Sequence, residues 1–532
     1  MRCRSFAVAL SISIAVAPAL ATAQRPDLAA FDAYVTRAVK AWDVPGLAIA
    51  VVSGDSVLFA KGYGVRSLGR PEPVDAHTRF SIGSTTKAMT ALALLMAADS
   101  GTVALDAPVQ RYLPALQLYD PVMTREMTVR DLLTHHTGLP GSDQLWYGTD
   151  ASTDEIIRRM RWLQPATSFR NSYAYQNVQY AMAGEVLRAA TGRAWSEVLR
   201  TRIWEPLGMR ETLPTLASTV GQPNVAAPHQ VIDDTLRVIE NRSVDGVAAA
   251  GSVWSSVSDM ARWMRFVLDS GRVSGRRLMS EPRFVDWFAP QSIVPLAGFY
   301  PAAQRAGVHR VTYGLGWFLH SYAGDEVAMH TGSIDGMSAI IGLLPGRRAG
   351  VYVLANRDHA ELRHALMYRA FDLLAGRPAR DWSGELLTLF DGFDAQSRQA
   401  QSARVAARVT GTQPSLPLDR YAGTFADSLN GTVRVSVRDG ALHAAWGVGF
   451  TGPLQHWHYD SFMARWDDRR NPPTPVSFVL DVAGRVDEAH FGNFERFGAG
   501  DAGGAASAAL SFEPHGPYTR HSPQRGFLAR HV

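Results

Sequence analysis

The residues that could do chemistry begin with Ser84, which is followed three positions later by Lys87. The chain has three lysines, at 40, 61 and 87, against about fifty arginines. At the start of a helix, this spacing places the amine one turn from the hydroxyl on the same face. An amine can give up its proton whereas a guanidinium stays charged, so the lysine at this position indicates a reactive serine–lysine pair.

A second motif, Tyr175-Gln176-Asn177, lies where the sequence predicts the start of a helix over 177–190 that ends at Gly192. Three residues alone form a weak signal, so the value of this motif depends on its partners.

A third motif, His330-Thr331-Gly332-Ser333, ends a predicted strand over 327–330. A strand end can present backbone N–H groups and small side chains to a reacting group on another element. The order and spacing of the three motifs make the set specific, although each motif is short.

Together the motifs resemble those of the penicillin-recognising serine hydrolases. The similarity is closest to the branch that holds class C β-lactamases, DD-carboxypeptidases, D-aminopeptidases and related esterases, in which the middle motif is Tyr-x-Asn. The resemblance extends over residues 30–375 and includes the stretches 80–83, 131–139 and 249–252. It implies an acyl-enzyme mechanism without a cofactor.

The resemblance also implies a role for each site residue. Ser84 is the expected nucleophile, and either Lys87 with a lowered pKa or Tyr175 as a phenolate is the expected base. Asn177 is expected to bind Lys87 and the amide of the substrate. The backbone N–H groups of Ser84 and Ser333 are expected to form the oxyanion hole.

The strand motif departs from the family pattern at His330, where β-lactamases and transpeptidases carry a lysine beside the substrate carboxylate. Thr331 and Gly332 are expected to line the substrate site together with this histidine. Imidazole is mostly neutral at pH 7, which favours a D-aminopeptidase or esterase. We also expect carboxylate-bearing substrates to bind better as the pH falls toward 6, because His330 would then become charged.

The adjacent His135 and His136 raise the hypothesis of a metal site. Neighbouring side chains diverge, and no carboxylate lies at ligand spacing from the pair. A structural role is therefore favoured, and no metal or other cofactor is predicted.

The elements that must position these residues follow from the hydrophobic pattern. Two apolar runs flank a hairpin signal at Gly54-Asp55, and the segment 84–98 is apolar nearly all round, as in a buried helix. The pattern predicts helices over 27–42, 84–98, 154–163, 177–190, 256–268 and 359–374, and strands over 47–53, 57–62, 311–319, 327–330, 338–344 and 350–355.

Strands at both ends of this segment, with helices between them, predict one antiparallel sheet whose halves come from distant parts of the chain. We therefore predict an α+β domain over residues 24–376, with helices flanking the sheet and an all-α subregion. Residues 377–417 are polar and read as a linker with some helix.

The C-terminal part has a different sequence pattern, which predicts short strands separated by turns at Asn430-Gly431 and Asp439-Gly440. Residues 418–425 resemble the start of the lipocalin-like β domain appended to many such hydrolases. We predict a small β-barrel over 418–515 and a disordered tail over 516–532.

Residues 1–23 read as a signal peptide that is cleaved after Ala23, which predicts a periplasmic or secreted protein. No later apolar stretch is long enough for a membrane span. Cys3, the only cysteine, lies in this segment, so disulfides and thiol catalysis are not expected. The remaining charges nearly balance, which disfavours nucleic-acid binding.

The predicted function is an exported serine hydrolase that forms an acyl-enzyme at Ser84. Its expected partner is a small-molecule or peptide substrate with an amide or ester bond, D-amino-acid-containing peptides included. One alternative is a β-lactamase or DD-carboxypeptidase. The other is an inactive relative that binds peptidoglycan or a partner, which the presence of Ser84, Lys87 and Tyr175 disfavours.

Overall fold

The computed structural model describes residues 26–492 and 495–499, so the predicted signal peptide and tail lie outside the described residues. The strands are β1 (Gly46–Ser53), β2 (Ser56–Gly64), β3 (Phe80–Ser81), β4 (His229–Ile232), β5 (Thr235–Val238), β6 (Trp254–Ser255), β7 (Arg272–Val273), β8 (Arg276–Arg277), β9 (Ser292–Val294), β10 (Val311–Tyr313), β11 (Phe318–Tyr322), β12 (Asp325–Ile334), β13 (Met337–Leu344), β14 (Ala349–Ala355), β15 (Gly423–Asp427), β16 (Gly431–Arg438), β17 (Ala441–Trp446), β18 (Phe450–His458), β19 (Ser461–Ala464), β20 (Thr474–Leu480), β21 (Val486–Phe491) and β22 (Glu495–Ala499).

The helices alternate with these strands in the first three quarters of the chain. They are α1 (Leu28–Ala41), α2 (Thr86–Asp99), α3 (Pro121–Glu126), α4 (Thr153–Arg159), α5 (Asn177–Thr191), α6 (Trp195–Leu199), α7 (Glu205–Leu207), α8 (Ala248–Gly251), α9 (Val257–Leu268), α10 (Glu281–Phe288), α11 (Pro301–Arg305), α12 (Leu362–Leu374) and α13 (Trp382–Ala406). Within the described ranges, none of these helices is long and apolar enough to cross a membrane.

One antiparallel sheet organises the larger domain, with the strand order β2-β1-β14-β13-β12-β11-β10-β9. Strand β1 pairs with β14, and Leu47 lies opposite Ala355. The two ends of the domain therefore meet inside one sheet. This confirms the predicted α+β class and the predicted pairing of strands from distant parts of the chain.

Both faces of this sheet are buried. Because side chains alternate along a strand, Leu47, Ile49 and Val51 of β1 pack with α1 and α12 on one face. The intervening residues Ala48 and Ala50 pack on the other face with the helices α2, α5 and α9. The second face carries the helical subregion, and the site residues lie at its border with the sheet.

The predicted strand over 311–319 is wrong in one respect, because the structure has a hairpin there. Strands β10 and β11 pair with each other across a turn that contains Gly316 at φ +84°. A Cβ atom at Gly316 would lie 2.9 Å from the backbone of Ala88 in α2. The glycine thus allows the turn to touch the helix that carries the site, at a conformation that other residues adopt with strain.

The C-terminal strands β15 to β22 form a closed antiparallel barrel in sequential order. The predicted turn at Asn430-Gly431 precedes β16, with Gly431 at φ +84°. The barrel has its own core, which includes Tyr421, Phe425 and Trp446. The predicted all-β C-terminal domain is therefore confirmed.

The segment that we predicted as a linker contains the 25-residue helix α13. Its first turn docks on the larger domain, where Trp382 is fully buried, stacks on Tyr368 at 4.9 Å and donates to Asp372 at 2.8 Å. The polar remainder of the helix is mostly exposed. Trp382 and the buried Leu386 thus fix the first part of the helix on the larger domain.

Replacing Trp382 with alanine should lower the free energy of unfolding by about 3–5 kcal/mol, because a large side chain leaves a cavity and Asp372 loses a partner. Urea unfolding followed by far-UV circular dichroism measures this change. Trp162→Ala is the control, since Trp162 is 46% exposed and should cost about 1 kcal/mol or less. Equal effects of the two variants would contradict the anchoring role.

Candidate active site

Ser84 lies in a single 3-10 turn, Gly83–Thr85, directly before α2. Lys87 follows on the first turn of α2, and its Nζ lies 2.9 Å from Ser84 Oγ. Helix α2 is buried along almost its whole length, as its uniformly apolar sequence predicts. The helix therefore carries the amine of Lys87 into the interior while Ser84 stays partly exposed.

The amine of Lys87 is fully buried and has three polar neighbours. Besides Ser84, it donates to Asn177 Oδ1 at 2.8 Å and to the carbonyl oxygen of Ala250 at 3.0 Å. Burial lowers the pKa of Lys87 well below its usual value, and the charge of Asp143 partly opposes this shift. The site therefore favours a neutral amine beside the serine.

Tyr175 covers the same amine with its ring, whose centroid lies 4.8 Å from Lys87 Nζ. Burial raises the pKa of the Tyr175 phenol well above 10, and a hydrogen bond with Ser84 opposes the rise. The ring also packs against His135, with centroids 4.2 Å apart. Tyr175 is therefore a neutral phenol beside both members of the serine–lysine pair.

Asn177 begins α5, and the side chain of Gln176 caps that helix by accepting from the N–H of Val178. The Asn177 amide is oriented by two contacts. Its Oδ1 accepts from Lys87, and its Nδ2 donates to Asp143 Oδ1 at 3.0 Å. Asp143 thus determines which end of the amide faces the lysine.

Asp143 was not predicted from the sequence. It lies just after the stretch 131–139 that carries the family resemblance, in the short 3-10 turn Asp143–Leu145. A single aspartate after Pro140-Gly141 has the appearance of an ordinary turn residue. Its contact with Asn177 joins positions 34 residues apart and could not be read from spacing.

Strand β12 passes directly beside the Ser84 turn, and two glycines make this possible. A Cβ atom at Gly332 would lie 2.0 Å from the carbonyl oxygen of Ile82 and 3.0 Å from the Ser84 nitrogen. A Cβ atom at Gly83 would lie 2.7 Å from the Ser333 nitrogen. The absence of both side chains brings the backbone nitrogens of Ser84 and Ser333 to the same small region.

His330 is buried beside the site, and both its ring nitrogens are engaged. Nδ1 contacts the carbonyl oxygen of Thr331 at 2.6 Å, and Nε2 lies 3.0 Å from the hydroxyl of Tyr313. Burial, with repulsion from Lys87, lowers the pKa of His330 to about 3. Our expectation that it becomes charged near pH 6 is therefore wrong, since burial disfavours the imidazolium.

Two further side chains, those of Arg363 and Tyr300, support the strand motif, and sequence reasoning missed both. Arg363 of α12 is buried and donates through Nη1 to the carbonyl oxygen of Gly332 at 2.8 Å and to Ser333 Oγ at 2.7 Å. Thr331 shares a hydrogen bond with the hydroxyl of Tyr300. Such contacts fix the strand end but leave no pattern in the local sequence.

His135 supports the tyrosine motif. Its Nδ1 accepts from the backbone N–H of Gln176 at 3.1 Å, and burial lowers its pKa well below 6.5. Across residues 26–492, no three His, Cys, Asp or Glu side chains are grouped so that they could bind a metal ion. The position of His135 fits the structural role that its spacing favours.

Gly332→Ala should reduce the rate at which a fluorophosphonate labels Ser84 by about 100-fold or more, because the added methyl group must separate β12 from the Ser84 turn. Labelling kinetics measured by intact mass test this. Gly346→Ala is the matched control, because no atom lies within 4 Å of the added methyl at that position in the next turn of the sheet. An unchanged rate in Gly332→Ala would show that the close approach is not required.

The chain matches known protein families over most of its length. A family model described as Beta-lactamase matches residues 31–375, and one described as Domain of unknown function (DUF3471) matches 407–500. The unguisins hydrolase ungD of Aspergillus violaceofuscus is 30% identical over 447 residues, which cover 78% of each chain.

Two solved structures share the fold. The octameric penicillin-binding protein homologue from Pyrococcus abyssi has a TM-score of 0.59 at 21% identity and covers 88% of this chain and 99% of its own. A D-stereospecific amidohydrolase from Streptomyces sp. has a TM-score of 0.51 at 24% identity and covers 62% of this chain and 94% of its own. The match over 31–375 shows that this chain belongs to the beta-lactamase family of hydrolases.

Proposed function

We propose that this chain is a serine hydrolase that forms an acyl-enzyme at Ser84 on small amide or ester substrates. The hydrogen bonds of Lys87 carry the proposal. Asn177 Oδ1 and the Ala250 carbonyl can only accept, so they use both N–H groups of a neutral amine. The remaining lone pair is then available to the Ser84 hydroxyl at 2.9 Å.

Lys87 is the better candidate for the general base. Its lowered pKa favours the neutral amine that can take the Ser84 proton, whereas the raised pKa of Tyr175 disfavours a phenolate. In this mechanism Ser84 Oγ attacks the substrate carbonyl as its proton passes to Lys87 Nζ. The proton then reaches the leaving group through the Tyr175 hydroxyl, and water later hydrolyses the acyl-enzyme.

The charge that develops on the carbonyl oxygen would be stabilised by the backbone N–H groups of Ser84 and Ser333. Such a donor contributes about 3 kcal/mol to the transition state. The glycines at 83 and 332 support this role because they allow the two nitrogens to approach each other. Arg363 supports it indirectly by fixing the carbonyl of Gly332.

An uncharged His330 supports neutral amides and esters over β-lactams as substrates. No fixed charge at this position would bind a substrate carboxylate, and the nearby Arg363 is already bonded to Gly332, Ser333 and Glu361. The names of two similar proteins, a D-stereospecific amidohydrolase and an unguisins hydrolase, fit a hydrolase that accepts amides. The signal-peptide pattern at 1–23 supports export from the cytoplasm. Outside the cytoplasm, D-amino-acid-containing peptides from cell-wall turnover would be available as substrates.

Lys87→Arg should reduce kcat/KM for a p-nitrophenyl ester by about 1000-fold, because arginine keeps a charge but cannot accept the serine proton. Mass mapping after an acid quench should find the acyl group of the wild-type protein on Ser84. Lys61→Arg is the matched control, since Lys61 is exposed, pairs with Asp32 and lies over the ring of Tyr63, away from the site. Similar activity in Lys87→Arg and wild type would mean that the lysine supplies charge alone.

Asp143→Asn should move the acid limb of the kcat/KM profile to lower pH. Lys87 acts as a base only when neutral, so activity rises as the pH passes the pKa of Lys87. The charge of Asp143 raises this pKa, and removal of that charge should therefore lower it. The variant keeps an oxygen that can accept from Asn177. Asp150→Asn, an exposed change in the same loop, should leave the limb in place. An acid limb that stays at the same pH in Asp143→Asn would exclude coupling between Asp143 and the base.

A further inference from the structure

A cleft beside Ser333 runs between the larger domain and the barrel. The cleft is open to solvent along one side. The larger domain contributes Trp146, Val244 and Ile334 to its walls, and the barrel contributes Pro472. Ser333 lines this cleft and also carries one of the two backbone N–H groups placed beside the Ser84 hydroxyl, so the cleft adjoins the candidate active site at this residue.

The charged groups on the cleft walls are paired with one another. Arg242 contacts Asp335 at 3.3 Å and Asp468 at 2.6 Å. Arg470 of the barrel contacts Asp468 at 2.6 Å and lies 3.8 Å from Asp335. These four side chains are only 8–22% exposed and carry no net charge together.

Further along the wall, Asp358 accepts the N–H of Gly336 at 3.2 Å and lies beside the partly exposed His359. An anionic ligand would be repelled by Asp358, or would have to displace it from His359, whose pKa is raised against the opposing effect of burial by the charges of Asp358 and Glu361. A cationic ligand would have to replace Arg242 or Arg470 in closed ion pairs, at a large desolvation cost. An uncharged ligand meets neither penalty.

The aromatic part of the wall is fixed by the barrel. Tyr147 donates to Asp335 at 2.8 Å, and its ring lies 4.1 Å from the guanidinium carbon of Arg242. The next residue, Gly148, accepts backbone N–H groups from Val448 at 3.1 Å and Gly449 at 2.9 Å. The loop that presents Trp146 and Tyr147 is thus held between the two domains.

We propose that this cleft is a substrate subsite completed by the barrel, and that it takes a bulky, uncharged side chain next to the scissile bond. Indole, phenol, aliphatic and proline carbons make up most of the exposed cleft surface, and the four charged side chains described above are held in ion pairs. The substrate class is then a peptide amide or ester with an aromatic or large aliphatic residue at this position. This inference rests on the proposed acyl-enzyme function at Ser84.

The test uses the full-length protein and p-nitroanilides that differ in one side chain: alanine, phenylalanine, glutamate or lysine, each in the D and L series. The wild type should have its highest kcat/KM with phenylalanine. Pro472→Trp fills the cleft from the barrel side and should lower the phenylalanine-to-alanine ratio by about tenfold or more. Val482→Trp introduces the same tryptophan side chain at a fully exposed barrel position, and it should leave this ratio within about twofold.

A second pair of variants covers the case in which Pro472→Trp does not fold. Arg470→Ala removes a wall residue from the cleft and should also lower the phenylalanine-to-alanine ratio. Its neighbour Arg469 is 62% exposed and pairs with Asp233 outside the cleft, so Arg469→Ala should preserve the ratio. Circular dichroism checks that each variant is folded.

The outcomes separate the two proposals. A wild type that is labelled at Ser84 by a fluorophosphonate but prefers glutamate or lysine would overturn the subsite. An unchanged ratio in folded Pro472→Trp and Arg470→Ala would also overturn it. Failure of the wild type to label at Ser84 would instead overturn the acyl-enzyme function on which the subsite rests.

Discussion

The burial of one amine, that of Lys87, is the constraint on which the rest of the site depends. Groups that accept hydrogen bonds from Nζ must replace the water that a buried amine loses. Two elements distant in sequence supply these acceptors: Asn177 at the start of α5 and Ala250 in α8. Tyr175 covers the amine, and the turn at Gly316 packs on the backbone of α2 behind it. The helical subregion and the sheet therefore meet at the point where water must be excluded from the Lys87 amine.

This arrangement costs stability at neutral pH. An unfolded lysine keeps its proton up to about pH 10.4, whereas the folded Lys87 loses it well below that value. The unfolded state therefore binds more protons in this window, and the cost decreases as the pH rises toward 10.4. The two cores on either side of the sheet supply the compensating burial, and Asp143 reduces the cost by favouring the charged form.

Sequence reasoning reached what depends on local pattern. The hairpin at Gly54, the buried helix after Ser84 and the helix that starts at Asn177 each have a periodicity or a turn signal, and all three are present. Contacts between distant positions were not predictable in the same way. Asp143 acts through a hydrogen bond to Asn177, and Arg363 acts through hydrogen bonds to Gly332 and Ser333; an isolated polar residue carries no periodicity. The environment of His330 was missed because burial, which determines its pKa, is a property of the assembled fold.

The most direct test of the account is the ionisation of Lys87 itself. The chain has three lysines, so NMR of protein labelled with ε-¹³C-lysine gives a simple spectrum, in which Lys40→Arg and Lys61→Arg identify the other two signals. A neutral general base predicts that the Lys87 signal titrates well below pH 10.4, the usual pKa of a lysine side chain. A Lys87 signal that titrates near pH 10 would contradict the account, because Lys87 would then be charged when the serine must lose its proton.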